Sequence, residues 1–218
     1  TYRMHKWAGV CNEEGDDYGK AMWWKNITDN KGNIIGREPT TDQNDADYYL
    51  CGTALPDAYG GFGTSVEAFG FDFAIDFTYQ LGGQVYDGTY ASLMASPDQT
   101  GRGSAIHKDV LNAWTPENTS SGIPRWAYGD LYFSSTSDRF LTSASYLALQ
   151  SINFGYTIPT KLTKKMQVDR IRVYFSADNV ALWSKRRGLD PRQSITGATS
   201  NAYYAPIRTI SGGINISF

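Results

Sequence analysis

The stretch Phe69–Gly83, FGFDFAIDFTYQLGG, carries a large apolar or aromatic side chain at every second position. Period-two alternation of this kind is typical of a β-strand with two different faces. The apolar positions run from Phe71 to Leu81, about the ~9–11 residues that a tilted strand needs to cross a bilayer. Asp72 and Asp76 both fall on the opposite face. The pattern predicts a strand with one face toward lipid and one toward water.

Other segments alternate in the same way, and helical periodicity is scarce. Residues 62–81 read as a hairpin that turns at Phe69 and Gly70. Further strands are predicted at 170–178 and 209–218, and at 146–156, where a slip of phase between Leu149 and Ile152 indicates a bulge. Near the start, residues 2–10 and 20–28 read as another antiparallel pair, followed by the turn sequence TDNKGN.

Charge and hydrocarbon are kept on different faces of these strands, as a bilayer requires. An Arg on a lipid face at mid-membrane costs roughly 2–4 kcal/mol. The predicted lipid-facing side chains are Phe71, Phe73, Ile75, Phe77, Ile171, Val173, Phe175, Ile214 and Ile216. The predicted side chains toward a watery lumen are Asp72, Asp76, Arg172 and Asp178.

The connections between the predicted strands are of two kinds. Short ones lie at 69–71 and 157–168, and long ones at 29–60, 82–144 and 181–205. Structureless loops of this length are rare in compact soluble domains. Within the second long connection, SAIHKDVLNAW spaces Ile106, Val110, Leu111 and Trp114 on one face of a helix that Ser104 would cap. Short turns at one end and long loops at the other indicate an all-β fold, an antiparallel transmembrane β-barrel of the outer-membrane kind.

About seven strands are too few to stand alone in a membrane. An open edge leaves several backbone groups unpaired in hydrocarbon, each at a cost of several kcal/mol, so the total exceeds the whole stability of a domain, about 5–15 kcal/mol. We therefore expect the remaining strands to come from another chain or from another part of the same polypeptide. Thr1 is not a natural start, which also leads us to expect a longer precursor.

Composition excludes some other classes. The 218 residues carry a formal net charge of -2, so nothing indicates a nucleic-acid partner. No run of about 18 apolar residues predicts a transmembrane helix. Cys11 and Cys51 leave one disulfide bridge or two free thiols equally open.

Little in the sequence indicates catalysis. His5 and His107 are the two histidines, and neither completes a nucleophile–base arrangement, so no enzyme activity and no catalytic residue are predicted. No resident cofactor or metal is expected, although calcium could bind the acidic loops 12–17 and 42–47, which lack EF-hand spacing. The cationic run SKRRG at 184–188 could pair with lipopolysaccharide phosphates, or it could be an ordinary solvated cluster.

Aromatic rings in the long loops are candidates for contact with a ligand or a partner protein. Flat rings stack on sugars and on peptide side chains, but they also pack loops together. Trp126 and Tyr128 are the strongest of these candidates, since PRWAYGD reads as exposed, turn-rich chain. The full set is Trp114, Trp126, Tyr128, Tyr203 and Tyr204.

Nearly the whole chain resembles one family. The stretches SYLALQSINFGYTIPTKLTKKMQVDRIRVYFSADNVALWSKRRGLDPRQ and YAPIRTISGGINISF resemble the C-terminal end of the SusC/RagA-type TonB-dependent outer-membrane transporters of Bacteroidetes. ALPDAYGGFGTSVEAFGFDFAIDFTYQLGG, VLNAWTPENTSSGIPRW and SDRFLTSASYL resemble upstream stretches of the same family, and YRMHKWAGV with MWWKN does so more loosely.

The resemblance implies the following expectations. Residues 1–218 would be the C-terminal portion of an outer-membrane barrel of about 22 strands, with loops 82–144 and 181–205 outside the cell and Phe218 as the barrel-assembly signal. The plug domain and the TonB box would lie outside this chain, in the N-terminal part of the transporter. A SusD-like lipoprotein would cap the barrel, and TonB-ExbB-ExbD would drive nutrient import indirectly. The cargo would be an oligosaccharide or an oligopeptide.

Two other interpretations stay open at this point. A secreted β-sandwich that binds carbohydrate through its loop aromatics would also show alternating strands. A small self-contained barrel fits less well, because the loops are long and the strand count is odd.

Overall fold

The computed structural model describes residues 1–97, 105–193 and 206–218. These residues form mainly β-structure, with two short α-helices and several single 3-10 turns. In chain order the elements are β1 (Arg3–His5), β2 (Trp7–Val10), β3 (Ala21–Thr28), β4 (Ile34–Thr40), β5 (Tyr48–Leu50), β6 (Ala58–Ala68), β7 (Phe71–Leu81), β8 (Gln84–Tyr86), α1 (Gly88–Leu93), β9 (Leu141–Ser143), β10 (Tyr146–Thr157), α2 (Thr160–Thr163), β11 (Arg170–Ser184) and β12 (Thr209–Ser217).

The chain divides into two units. We call the first the loop unit; it contains Thr1–Ala54 and Gln84–Thr142. We call the second the sheet unit; it contains Leu55–Gly83, Ser143–Gln193 and the C-terminal segment through Phe218. No helix among the described residues has both the length and the apolar character that a membrane crossing requires.

The sheet unit is one five-stranded antiparallel sheet in the order β12-β11-β10-β7-β6. The predicted hairpin is confirmed: β6 and β7 pair along their whole length and turn at Phe69 and Gly70. Both turn residues have a positive φ, 54° and 86°, as a two-residue turn of type I′ requires. Within the described residues β6 and β12 lie at the two ends of the strand order, so the sheet does not close on itself there.

The predicted bulge is also confirmed. The register of β10 shifts between Leu149 and Ser151 against both of its neighbours. Against β7, Gln150 is an extra residue, whereas against β11 the two residues Asn179 and Val180 lie opposite Gln150 alone. The shift keeps Leu149 and Ile152 on the same face, which explains the slip of phase in the sequence. Strand β11 extends to Ser184 and thus covers the first residues of the predicted loop 181–205.

In the loop unit the predicted pairing near the start is only partly right. Strand β2 pairs with β3 as expected, but β1 pairs with β5. Strand β4 follows a turn in which the Asp29 carboxylate accepts the Lys31 and Asn33 N–H groups, both at 2.8 Å. The prediction missed β4 because Gly36 and Pro39 interrupt its alternation.

The predicted helix in SAIHKDVLNAW is wrong in type and in face. The structure has a single 3-10 turn at Lys108–Asn112, capped by the His107 ring, whose Nδ1 accepts the Asp109 N–H at 3.1 Å. Val110 is buried, whereas Leu111 is exposed, because a 3-10 turn of this length does not keep α-helical spacing. The proposed cap Ser104 lies outside the described residues.

The long connections predicted as loops contain structure of their own. Residues 29–60 include β4 and β5, and residues 82–144 include β8, α1 and β9. The second connection also supplies a small core of buried side chains. Its members are Ala91, Met94, Val110, Phe133 and Phe140.

Candidate functional site

The pairing register places the large apolar side chains of the sheet unit on one face. One row across the strands consists of Val66, Phe73, Phe154, Phe175 and Gly212. These side chains are not covered: Phe73 is 38% and Phe175 is 43% exposed. A soluble sandwich buries such a face against a second sheet, so the exposed rings argue against that interpretation.

The nine residues predicted to face lipid all lie on this apolar face, with differing exposure. Phe71, Phe73, Val173, Phe175, Ile214 and Ile216 are exposed, and Ile75 is half-buried. Phe77 is half-buried because the Phe62 ring stacks on it with centroids 5.0 Å apart. Ile171 departs from the expectation, since it is only 9% exposed. It is the second residue of β11, beside the connection that carries α2, and its carbonyl accepts the Ile158 N–H at 2.9 Å.

On the opposite face, an ion pair crosses the middle strand of the sheet. The Arg172 guanidinium on β11 donates two hydrogen bonds to the Asp72 carboxylate on β7, the Nε bond at 3.0 Å. Gly155 on β10 lies between them, and a Cβ there would meet both charged groups at 2.5 Å. The ion pair therefore requires a glycine at position 155 of β10, the strand that it crosses.

The other two predicted lumen residues occupy a second polar row. Asp76, Ser151 and Asp178 are register partners on β7, β10 and β11. The Ser151 hydroxyl donates to the Asp76 carboxylate at 2.8 Å. Since neighbouring strands lie about 4.8 Å apart, the two carboxylates flank one hydroxyl. The structure thus gathers the four charged residues on one face, in two rows.

Not all of the predicted contact rings in the loop unit are accessible to a ligand. Trp114 is only 5% exposed, because its ring packs edge-on against Tyr18 and its indole N–H donates to Asn12 Oδ1 at 2.7 Å. It therefore packs the loop unit together, and the prediction of ligand or partner contact by Trp114 is wrong for the described structure.

Trp126 and Tyr128 lie at the surface, as their turn-rich sequence suggested. The Trp126 ring is partly exposed, and its indole N–H donates to the Ala95 carbonyl at 3.0 Å. Tyr128 is 87% exposed. These two rings, which are separated by one residue in the sequence, are accessible members of the predicted contact set. Tyr203 and Tyr204 lie outside the described residues.

A charged residue that no sequence pattern indicated packs among aromatic rings of the loop unit. The Arg139 guanidinium lies over Trp7, Phe140 and Phe133, 4.9–5.8 Å from the ring centroids. Burial lowers the pKa of Arg139 to about 10. The neighbouring Asp138 accepts the Trp7 N–H at 2.6 Å, and burial raises the pKa of its carboxyl group. No sequence motif marks this cluster, because Trp7 lies 131 residues from Asp138 along the chain.

Several carboxylates of the acidic loops 12–17 and 42–47 form ion pairs or hydrogen bonds within the chain. Asp17 pairs with Lys20 at 2.6 Å and accepts the Thr41 hydroxyl, and these contacts lower the pKa of its carboxyl group. Asp45 pairs with Lys25 at 2.9 Å. Among the described residues, no three or more His, Cys, Asp or Glu side chains gather as metal ligands. Cys11 and Cys51 are free thiols.

Comparison with known proteins finds relatives of this chain by sequence and by structure. No protein-family model matches it. TonB-dependent receptor P3 of Formosa agariphila is 28% identical over 184 residues, which are 79% of this chain and 17% of that receptor. TonB-dependent receptor P26 of the same organism is 28% identical over 185 residues, 79% of this chain and 18% of the receptor. The chain thus spans less than a fifth of the length of these curated relatives.

Solved structures match the fold over the full chain. The RagAB peptide importer superimposes with a TM-score of 0.77 in its closed-closed state, at 23% identity, covering 100% of this chain and 23% of that one. In its open-open state the TM-score is 0.75, at 22% identity, with 100% and 22% covered.

Together, the amphipathic antiparallel sheet and these matches show a chain that is related to TonB-dependent receptors and has the fold of the corresponding part of RagAB. The predicted resemblance to the SusC/RagA-type transporters is confirmed.

Proposed function

We propose that this chain forms part of the wall and the extracellular mouth of a TonB-dependent nutrient importer in the bacterial outer membrane. Residues 1–218 are the C-terminal portion of its barrel, with 82–144 and 181–205 outside the cell and Phe218 as the assembly signal. The remaining strands and the plug lie elsewhere in the transporter. TonB-ExbB-ExbD supplies the energy indirectly.

The observation that carries this proposal is the exposed apolar face of the sheet unit. Rings and aliphatic chains on five adjacent strands remain exposed, while Asp72, Asp76, Arg172 and Asp178 share the opposite face. Such separation suits lipid on one side and water or a plug on the other. Strand β7 has 11 residues, about the length that a tilted crossing needs (~9–11 residues).

The ends of the sheet support the same proposal. Strands β6 and β12 each present an edge that is unpaired within the described residues. In lipid, such edges must pair with further strands, because hydrocarbon offers no hydrogen-bonding partner. We infer that neighbouring barrel strands bind both edges.

The cargo is captured between the barrel mouth and a SusD-like surface lipoprotein. RagAB is a peptide importer, which favours an oligopeptide, while an oligosaccharide remains the alternative cargo. Trp126 and Tyr128 are the rings that we place in contact with cargo or lipoprotein, since both are accessible.

The experiment starts from native membranes that contain this chain. The assembly is extracted in detergent, its mobility is compared on gels before and after boiling, and co-purified lipoprotein is quantified. We expect a faster-running folded band before boiling and a bound lipoprotein. Release of the chain as a soluble monomer without detergent would contradict the proposal.

The loop contacts are tested by replacing both accessible rings. Trp126→Ala with Tyr128→Ala removes two large contact rings, so we expect at least a tenfold loss of lipoprotein co-purification or of cargo uptake. Leu111→Ala is the matched control, because Leu111 is also highly exposed in the loop unit. Unchanged uptake and co-purification in the double variant would exclude these residues from the contact.

A further inference from the structure

At the C-terminal end of β11, which leads into the long connection 181–205, an exposed aromatic ring is followed by a run of cations. Trp183 is 54% exposed and is the register partner of Leu147, which in turn is paired with Tyr79. This row lies at the end of the apolar face. The next residues, Lys185, Arg186 and Arg187, follow where β11 ends at Ser184.

The residues that follow Trp183 alternate in exposure through the turn after β11. Trp183, Lys185 and Arg187 are exposed, whereas Ser184 and Arg186 between them are half-buried. The Ser184 hydroxyl lies within hydrogen-bonding distance of the Arg186 and Leu189 carbonyls, at 3.2 and 3.3 Å, which holds the turn. Lys185 and Arg187 are therefore accessible cations that lie within four residues of the exposed Trp183 ring in the sequence.

Asp190, an acidic residue close to this run in the sequence, already has a cationic partner. Asp190 is buried and accepts hydrogen bonds from the Arg192 guanidinium, the shortest at 2.7 Å. No ion pair joins Lys185 or Arg187 to a carboxylate within the described parts of the chain. Among the described residues, these two cations thus have no carboxylate partner, and they follow directly on the end of the apolar face.

We infer that Lys185 and Arg187 bind the phosphate groups of lipopolysaccharide in the outer leaflet, with Trp183 at the boundary between headgroups and hydrocarbon. Lysine and arginine stems lie along apolar surface while their charged ends reach the headgroups. A guanidinium binds phosphate oxygens in a bidentate manner, and tryptophan is favoured at this boundary. The inference rests on the proposed function, because it requires the apolar face to lie against lipid.

The test measures binding of purified lipid A to the detergent-extracted assembly by native mass spectrometry. Diphosphoryl lipid A, dephosphorylated lipid A and inorganic phosphate are the three probes. We expect diphosphoryl lipid A alone to bind tightly. Lys185→Gln with Arg187→Gln should weaken its binding about 10- to 30-fold, as expected for two cations near a charged lipid surface.

Two control variants separate local charge from general effects. Lys161→Gln with Lys164→Gln removes two exposed cations from the short connection at the opposite end of the strands and should leave the affinity unchanged. Lys185→Arg with Arg187→Lys keeps both charges and should bind like the original chain. The gel shift on boiling shows that each variant is folded.

Each other outcome overturns the inference. Equal binding by the double Gln variant, or equal binding of dephosphorylated lipid A, would show that these cations do not recognise phosphate. Equally tight binding of inorganic phosphate would show an anion site rather than a lipid site. If the chain proves soluble without detergent, the proposed function fails, and the same titration on the soluble protein still decides whether Lys185 and Arg187 bind lipid A.

Discussion

Gly155 makes room for the ion pair that joins β7 and β11 across β10. A Cβ at this position would meet the Arg172 and Asp72 side chains at 2.5 Å. We expect Gly155→Ala to displace the pair and to destabilise the assembly by about 1–3 kcal/mol, as overpacking does. Thermal unfolding in detergent measures the change.

Gly212 provides the matched control for this substitution. It also lies within the sheet, on β12, but a Cβ there would meet only the Tyr174 carbonyl at an ordinary 3.6 Å. Gly212→Ala should therefore leave the melting temperature nearly unchanged. Equal destabilisation by both substitutions would indicate a general intolerance of alanine in these strands.

A second residue-scale prediction concerns the buried carboxyl group of Asp138. Burial raises its pKa above the ordinary value of 3.8. The folded state therefore binds the proton more tightly than the unfolded state does, and this group's contribution to stability falls as pH rises from about 4 through the raised pKa. Asp138→Asn removes the charge and keeps an acceptor for the Trp7 N–H, so it should flatten this dependence.

Hydrogen exchange of the amides in residues 3–10 checks the prediction at pH 4 and pH 7, after correction for the intrinsic exchange rates. The gain in protection of the Asn variant over the original chain should be larger at pH 7. A gain that does not depend on pH would show that Asp138 is not the titrating group.

At the scale of the element, the phase of each strand decides which side chains meet lipid. Deletion of Gln150 removes the residue that is extra against β7 and keeps Leu149 and Ile152 on one face. Deletion of Ala74 from the regular strand β7 reverses the faces on one side of the cut. We expect the first variant to assemble with reduced stability and the second not to assemble.

The amount of heat-modifiable protein in outer-membrane fractions distinguishes the two deletions. Both remove one residue from a central strand, so a general effect of shortening would reduce both equally. Assembly of the Ala74 deletion at the level of the original chain would contradict the lipid-facing assignment of β7.

At the scale of the whole molecule, the two open edges of the sheet require partners. If β6 and β12 pair with neighbouring barrel strands, their amides should exchange as slowly as those of the central strands β7 and β10. Hydrogen exchange of the detergent-extracted assembly measures this. Fast exchange along either edge strand would show that this edge has no paired neighbour.

The sequence by itself determined the sheet unit. Alternation at Phe71–Leu81, the turn at Phe69 and Gly70 and the slip near Gln150 are local signals, since period-two faces and turn conformations depend on residues close together in the chain. The position of Trp126 and Tyr128 at the surface also followed from local, turn-rich sequence.

Only the tertiary structure decided the contacts between distant residues. Trp114 is buried because Asn12, 102 residues away, accepts its indole N–H, and no local pattern distinguishes this ring from the exposed Tyr128. Gly155 acquires its role only where β10 passes between Asp72 and Arg172. The physical reason is the same in both cases: alternation specifies which face a side chain takes, whereas burial and pairing depend on which strand or loop comes to lie beside it.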